Sequence, residues 1–110
     1  MGFAVGMFSG REEDWFIWAL RFGAYAENLG WNDVLLEAAS ERSEIKIDLL
    51  REDSLDVSRM LYVLLIGKCE GKAWSLVQSA KNHGLEGWRL LRAEYDESMR
   101  GRETLLQDIS

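Results

Sequence analysis

Apolar side chains recur along this chain at intervals of three and four residues, the spacing that places them on one face of an α-helix. In the segment 84–95, Trp88, Leu91 and Tyr95 follow that spacing. Near the N-terminus the same stripe consists of Trp15, Trp18, Phe22, Ala26 and Leu29. The chain has no proline, and its 10 glycines fall mostly between such segments. Because glycine commonly follows a helix end, the pattern predicts an all-α, compact bundle of about five to six helices.

Local signals suggest where the helices begin and end. Ser9 followed by Glu12 has the form of a capping box for the first helix, and Gly30 is placed to end it in a left-handed cap. Asn32 is the predicted cap of the second helix. Residues 43–53 alternate like a strand but also fit a short helix, and we expect a loop with at most one helical turn there. The predicted helices span about 10–29, 32–42, 55–69, 72–82 and 84–96.

Three further expectations concern the second half of the chain and the domain limits. The helix predicted over 55–69 is apolar on nearly all sides, so we expect it to be the central and most buried one. We expect Gly84 to end the preceding helix, which would place His83 at a helix C-terminus, where positive charge is favourable. We also expect an N-terminal arm over 1–8, a helical domain over 9–97, and a connector leading into a further helix over 98–110.

The composition restricts the class of protein. A length of 110 residues fits one domain, and no apolar run approaches the roughly 20 residues that span a bilayer, so we expect no membrane partner. The single cysteine, Cys69, predicts a cytoplasmic protein without disulfides. The net charge of -6 arises in residues 1–55, which hold 5 basic and 11 acidic residues, whereas 56–110 hold 8 of each. Neither half is basic, so direct nucleic-acid binding is disfavoured.

No residue pattern predicts a reaction centre. His83 is the only histidine, which excludes histidine-rich metal sites, and the neighbouring carboxylate pairs fall at predicted surface positions rather than across a cleft. The five tryptophans mostly fit helix stripes and lack the interleaved basic residues of a base-stacking surface. We therefore expect no catalytic residue, no metal, no cofactor, no small-molecule substrate and no enzymatic activity.

An ordered series of short motifs gives the chain a resemblance to a known family. The series consists of Phe8-Ser9-Gly10 with Trp15, Trp18 and Phe22; Leu61-Tyr62 with Leu64-Leu65; Gly71-Lys72-Ala73; and Gly84-Leu85-Glu86-Gly87-Trp88-Arg89-Leu90-Leu91 with Tyr95. Over about residues 8–109 it resembles the capsid region of retrotransposon Gag polyproteins, particularly of the copia type. Gly87 stands where many relatives carry alanine, which suggests close packing or a kink. The Cys/His zinc knuckle of many Gag proteins is absent from the chain.

The resemblance implies an all-helical capsid domain that self-associates into a shell around the RNA of the element. Residues 8–97 would be the N-terminal capsid lobe, 105–109 would begin the second lobe, and RNA would be bound only by regions outside this chain. The implied partner is therefore a further copy of the protein. The family-motif core would comprise Phe8, Trp15, Trp18, Phe22, Leu61, Leu64, Leu65, Trp88, Leu91 and Tyr95. The candidate self-association surface comprises Ile17, Arg21, Leu105, Leu106 and Ile109.

A second interpretation keeps the same fold with a different role. The chain could be a domesticated Gag domain or another host helical adaptor that binds a basic or helical partner. Its binding residues would lie in the acidic segment 41–56 or among exposed apolar side chains.

Overall fold

The computed structural model describes residues 5–109, with side chains for 5–96, and is all-helical, as the sequence predicts. Its α-helices are α1 (Glu12–Asn28), α2 (Asn32–Ser40), α3 (Glu52–Lys68), α4 (Gly71–Ser79) and α5 (Gly84–Ile109). The loop after α2 contains one 3₁₀ turn, Ile47–Leu49, which matches the single turn expected there. Within the described residues the only extended pairing is an isolated parallel bridge between Phe8 and Cys69.

The central helix is α5 and not α3, which corrects the sequence prediction. The first half of α5 packs against each of the other four helices, and residues 83–88 are all buried. On α3 only Ser58, Leu61 and Leu65 are buried, whereas Met60 and Val63 are exposed. Apolar residues on all sides of α3 make its burial favourable. The other helices that pack against α3 determine how much of it is in fact buried.

The start of α1 differs from the predicted capping box. The helix begins at Glu12 with Arg11 as its cap residue, and the Arg11 side chain makes no capping hydrogen bond. Ser9 lies two residues earlier, where its hydroxyl accepts the Arg11 amide hydrogen and donates to Asp14. The serine therefore orders the turn before the helix and does not occupy the N-cap position.

The end of α1 is a Schellman motif centred on Gly30, as predicted from the glycine. Gly30 has a φ of +80°, its amide donates to Glu27, and the amide of Trp31 donates to Ala26. These two bonds satisfy carbonyls that would otherwise lack a partner at the helix end. Helix α2 follows at once, with Trp31 rather than Asn32 as the residue preceding its first turn.

Helix α4 ends before Gly84, which also corrects the prediction. Lys81 and Asn82 adopt positive φ angles of 49° and 65°, so they turn the chain without glycine. Gly84 instead opens α5 against α3, where a β-carbon would lie 2.7 Å from the β-carbon of Leu61. His83 consequently lies at the N-terminal end of α5, not in the last turn of α4, and the carbonyl of His83 accepts the Gly87 amide.

The residues before α1 are part of the folded domain. Val5 and Phe8 are buried, and the Phe8 backbone pairs with Lys68 and Glu70 across the α3–α4 junction at 2.7 and 2.9 Å. The described part of the expected N-terminal arm, residues 5–8, thus packs into the core.

At the other end of the chain, α5 continues through Gly101 to Ile109, where we expected a connector. One interior glycine costs a helix only about 1 kcal/mol, which is too little to break a long one.

Candidate interaction surface

Most of the residues in the motif series form one buried aromatic and aliphatic core. Phe8, Trp15, Trp18, Phe22, Leu61, Leu65, Trp88, Leu91 and Tyr95 are buried, and Leu64 is partly buried against them. Trp15 contacts four of the other rings, Phe8, Trp18, Trp88 and Tyr95, with centroids 5.2–6.0 Å apart. Such offset and tilted ring pairs stabilise the folded state, so these residues form the structural core of the domain.

Three of these aromatic residues donate a hydrogen bond inside the domain. The Trp18 indole donates to the Gly6 carbonyl at 2.8 Å, and the Tyr95 hydroxyl donates to the Gly10 carbonyl at 2.7 Å. The Trp15 indole donates to Asp96 at 2.8 Å, and Asp96 also accepts a hydrogen bond from Arg92 at 2.6 Å. These hydrogen bonds join the aromatic cluster to the chain before α1 and to Asp96 of α5.

His83 belongs to a buried hydrogen-bond network that the sequence did not predict. Its Nε2 lies 2.7 Å from the carbonyl oxygen of Ile45, and its Nδ1 lies 2.6 Å from the hydroxyl of Ser58. A carbonyl can only accept, so Nε2 carries a hydrogen and donates it. In the neutral imidazole, Nδ1 then accepts the Ser58 hydroxyl hydrogen, while the Leu85 amide donates to Ser58. This network fastens the loop after α2 to both α3 and α5.

A serine beside a histidine is also the arrangement of a nucleophile and its base, but this geometry does not favour such a role. Ser58 is fully buried, and its oxygen already accepts the Leu85 amide hydrogen. The second histidine nitrogen faces a backbone carbonyl, not a carboxylate that would orient it during proton transfer. The Ser58 side chain has no exposed surface, so its hydroxyl is not accessible to a substrate in this structure.

Glu86 completes the attachment of the same loop. Its carboxylate accepts the Ile45 amide hydrogen at 3.0 Å and two hydrogen bonds from Arg89 at 2.7 and 2.6 Å. Burial by itself would raise the pKa of Glu86, but the hydrogen bonds from Arg89 and Ile45 and the charge of Arg89 outweigh it and lower the pKa. Both backbone polar groups of Ile45 are therefore bound by side chains at the start of α5.

The outward face of α1 carries a group of exposed apolar side chains. Phe16, Ile17 and Leu20 are 57%, 50% and 63% exposed, and together with Gly23 and Ala24 they form what we call the α1 face. Three large apolar side chains within two helical turns exceed the scattered exposure that is normal for a monomer.

A groove runs beside the α1 face. Its volume is about 600 Å³, and its walls are formed by α1 and by the Arg92–Asp96 ion pair of α5, with Trp15 between them. The Arg92 guanidinium also lies 5.8 Å from the centre of the Trp88 ring, which fixes the polar wall in place. The groove is thus apolar along α1 and ordered and polar along α5.

Gly23 lies in the interior of α1, beside this groove, with no packing reason inside the domain. A β-carbon at this position would meet no atom within 4 Å. Glycine costs a helix about 1 kcal/mol relative to alanine, and here that cost brings no close approach within the chain.

The predicted self-association residues divide between described and undescribed side chains. Ile17 and Arg21 are exposed on α1, as a surface role requires, and Leu105, Leu106 and Ile109 lie outside the described side chains. Phe16 and Leu20 were missed by the sequence analysis. Phe16, directly after Trp15, and Leu20, three residues before Gly23, are four residues apart. That spacing places them on one side of the helix and indicates a second apolar stripe on α1.

A second groove, with a volume of about 560 Å³, lies between α2, the 43–51 loop and the start of α3. Its lining includes four carboxylate side chains, Glu37, Glu41, Glu44 and Asp53, beside Lys46 and Arg51. This groove contains most of the acidic segment noted in the sequence, and its local charge is negative.

Two classes of site are not found in the part of the chain that the structure describes. No group of three or more histidine, cysteine or acidic side chains is placed to hold a metal ion there. None of the helices described is long and apolar enough to cross a membrane. Comparison of the chain with protein-family models, with curated proteins and with solved structures yields no match.

Proposed function

We propose that this domain is a structural building block that self-associates, as the resemblance to retrotransposon Gag capsid regions implies. The observation that carries the proposal is the α1 face, where Phe16, Ile17 and Leu20 are exposed together on an ordered helix. The interior supports it, because the buried polar side chains of the described residues all have hydrogen-bond partners within the domain. A domain whose described residues leave an apolar helix face uncovered suits repeated contact with copies of itself.

The charge distribution is consistent with this role and with RNA being bound elsewhere. The acidic half of the chain, 1–55, includes α1 and would repel a phosphate backbone. In the proposed protein, enclosure of RNA comes from the shell and from regions outside this chain, in the cytoplasm. Individual contacts need not be strong, because closed symmetric assembly adds many of them together.

The test is the oligomeric state of the protein over a wide range of concentration and salt. We expect sedimentation velocity and light scattering to show association that rises with protein concentration and with salt, since salt screens the charge of -6. Negative-stain microscopy of the associated fraction should show regular particles or sheets. A strict monomer under all these conditions would contradict the proposal.

The acidic groove favours a second candidate function, a helical adaptor for a basic partner. Four carboxylate side chains and the exposed Leu49 line this one groove. Titration of the 15N-labelled protein with a Lys/Arg-rich amphipathic peptide would test it. Shifts confined to residues 37–54 that disappear at high salt would support the adaptor, and unchanged spectra would reject it.

A further inference from the structure

We propose that two copies of this chain pair through the α1 face in an antiparallel, twofold-symmetric contact centred on Leu20. The inference rests on the proposed self-association and names its surface and geometry. A second copy of the chain then occupies the α1 face and the groove beside it.

The α1 face is complementary to itself. Residues seven apart lie on the same side of a helix, so 16 and 23 share one side of the α1 face and 17 and 24 share the other. In an antiparallel pair related by a twofold axis at Leu20, Phe16 of one copy faces Gly23 of the other, and Ile17 faces Ala24. A large side chain thus meets a small residue on both sides, and each contact occurs twice.

There is open space at Gly23. No atom of the described residues lies within 4 Å of the position of a β-carbon there, and the groove beside it is lined by Ala19, Arg92 and Asp96. The aromatic ring of Phe16 from the second copy fits over Gly23 into this groove. The interior glycine, which nothing within one copy explains, then allows the two helices to approach closely.

Charge does not select the orientation. Arg11 is ion-paired with Glu13 at the start of α1, where Glu12 and Asp14 also lie, and Glu27 lies at the other end of the α1 face. Antiparallel pairing brings Glu27 near the acidic first turn of the other copy, and parallel pairing brings Glu27 near Glu27, so association in either orientation should strengthen as salt rises. The antiparallel orientation follows instead from the fit of Phe16 over Gly23 and of Ile17 over Ala24, which parallel pairing would lose.

A contact made by one face of one helix is small. It falls below the roughly 1,200 Å² of total buried surface that is typical of stable dimers, so we expect a dissociation constant on the order of 100 μM. Sedimentation velocity at rising concentration measures it. Leu20→Glu places two carboxylates at the axis, and Gly23→Leu fills the space that Phe16 requires, so each change should weaken association by about tenfold or more.

Matched controls separate the contact from the stability of the fold. Val63→Glu alters a similarly exposed side chain on α3, and Gly67→Leu fills a helical glycine that is also open, so both should leave association unchanged. The four changed positions lack close neighbours or are exposed, and circular dichroism should show native helicity in every variant. Gly23→Leu should unfold at the same temperature as the wild type or above it, because leucine favours a helix.

Orientation is tested by cross-linking a mixture of Ile17→Cys and Ala24→Cys proteins under mild oxidation. Preferential 17-to-24 disulfides support the antiparallel pair, and preferential 17-to-17 disulfides overturn it. Cys69 gives little background because it is buried.

The outcomes distinguish the surface from the proposed function. Association that both controls retain and both α1 variants lose supports the inference. Association unaffected by Leu20→Glu and Gly23→Leu overturns this surface but leaves the proposed function standing. A wild type that stays monomeric up to about 1 mM overturns both, since lattice contacts of this size should be detectable there.

Discussion

Gly84 of α5 lies directly against Leu61 of α3, so closely that a β-carbon added to the glycine would stand 2.7 Å from that of Leu61. The backbone of Ser58 and Tyr62 lies closer still to the same point. The start of α5 can reach the centre of the bundle only because residue 84 has no side chain. That approach in turn places His83 beside Ser58 and allows the network around Ile45 to form.

We therefore expect Gly84→Ala to destabilise the domain by about 3 kcal/mol, since the clash is with backbone and a β-carbon and must separate two helices. Gly87→Ala is the matched control, because a β-carbon there would lie 3.5 Å from Val77, an ordinary contact. Its better helix propensity should leave the domain as stable or up to about 1 kcal/mol more stable. Urea unfolding of both variants measures the difference, and similar losses in both would refute the close-packing role of Gly84.

The buried Ser58 hydroxyl should contribute measurably to stability. Ser58→Ala leaves the Leu85 amide and one His83 nitrogen without their partner, at an expected cost of about 1–3 kcal/mol. Ser75→Ala, an exposed serine on α4, should change stability by less than about 0.5 kcal/mol. Hydrogen exchange at the Leu85 amide should accelerate in Ser58→Ala alone. Unchanged exchange would show that this amide is protected by helix packing rather than by the hydroxyl.

Glu86 should make stability depend on pH in the acid range. Its pKa in the folded protein lies below the ordinary value of 4.5, so the unfolded chain takes up a proton first as the pH falls. The stabilisation is fully present above that ordinary value and is lost as the pH drops through the lower, folded value. Glu86→Gln should be less stable at neutral pH and should lose less stability on acidification.

The control for this pH dependence is Glu37→Gln, which changes an exposed carboxylate on α2 outside the network. Thermal unfolding between about pH 7 and pH 3 gives the comparison. If Glu86→Gln and the wild type lose stability in parallel, Glu86 is not the group responsible. Hydrogen exchange at the Ile45 amide should also rise in Glu86→Gln at neutral pH, because its charged acceptor is removed.

Cys69 should be unreactive in the native protein. Burial raises the pKa of its thiol to about 12, so almost no thiolate exists near neutral pH, and the sulfur is also inaccessible. A disulfide reagent at about pH 8 should modify it only as fast as the domain opens, and at once in denaturant. Rapid modification of the folded protein would show that the backbone pairing between Phe8 and Cys69 opens readily.

The local signals in the sequence predicted several elements because their physical causes are local. The stripe Trp15, Trp18, Phe22 follows from helix periodicity, and the left-handed cap at Gly30 follows from the lack of a β-carbon. The predicted capping box was wrong because the Ser9 hydroxyl could form other local hydrogen bonds. Ser9 and Glu12 have the right spacing for a capping box, but Ser9 forms a turn with Arg11 and Asp14 instead.

The sequence predicted only part of the α1 face. Ile17 was singled out as an exposed apolar residue, whereas Phe16, Leu20 and the open Gly23 were not. A helical stripe of apolar residues identifies a face that prefers burial, but it cannot say whether another helix covers it. That depends on where α2 and α5 pack, which is a property of the whole bundle.

The sequence by itself determined the helical class, most helix positions and the buried aromatic residues, since these depend on periodicity and on the side chain at each position. Only the tertiary structure decided that α5 is central, that His83 and Glu86 bind the loop at Ile45 while Ser58 binds His83, and that the described residues leave one face of α1 uncovered. The hydrogen bonds of this network join residues 25 to 41 positions apart in the chain, and the α1 face is defined by the absence of a neighbour. The spacing of residues along the chain predicts neither the network nor the uncovered face, because both depend on how complete helices pack together.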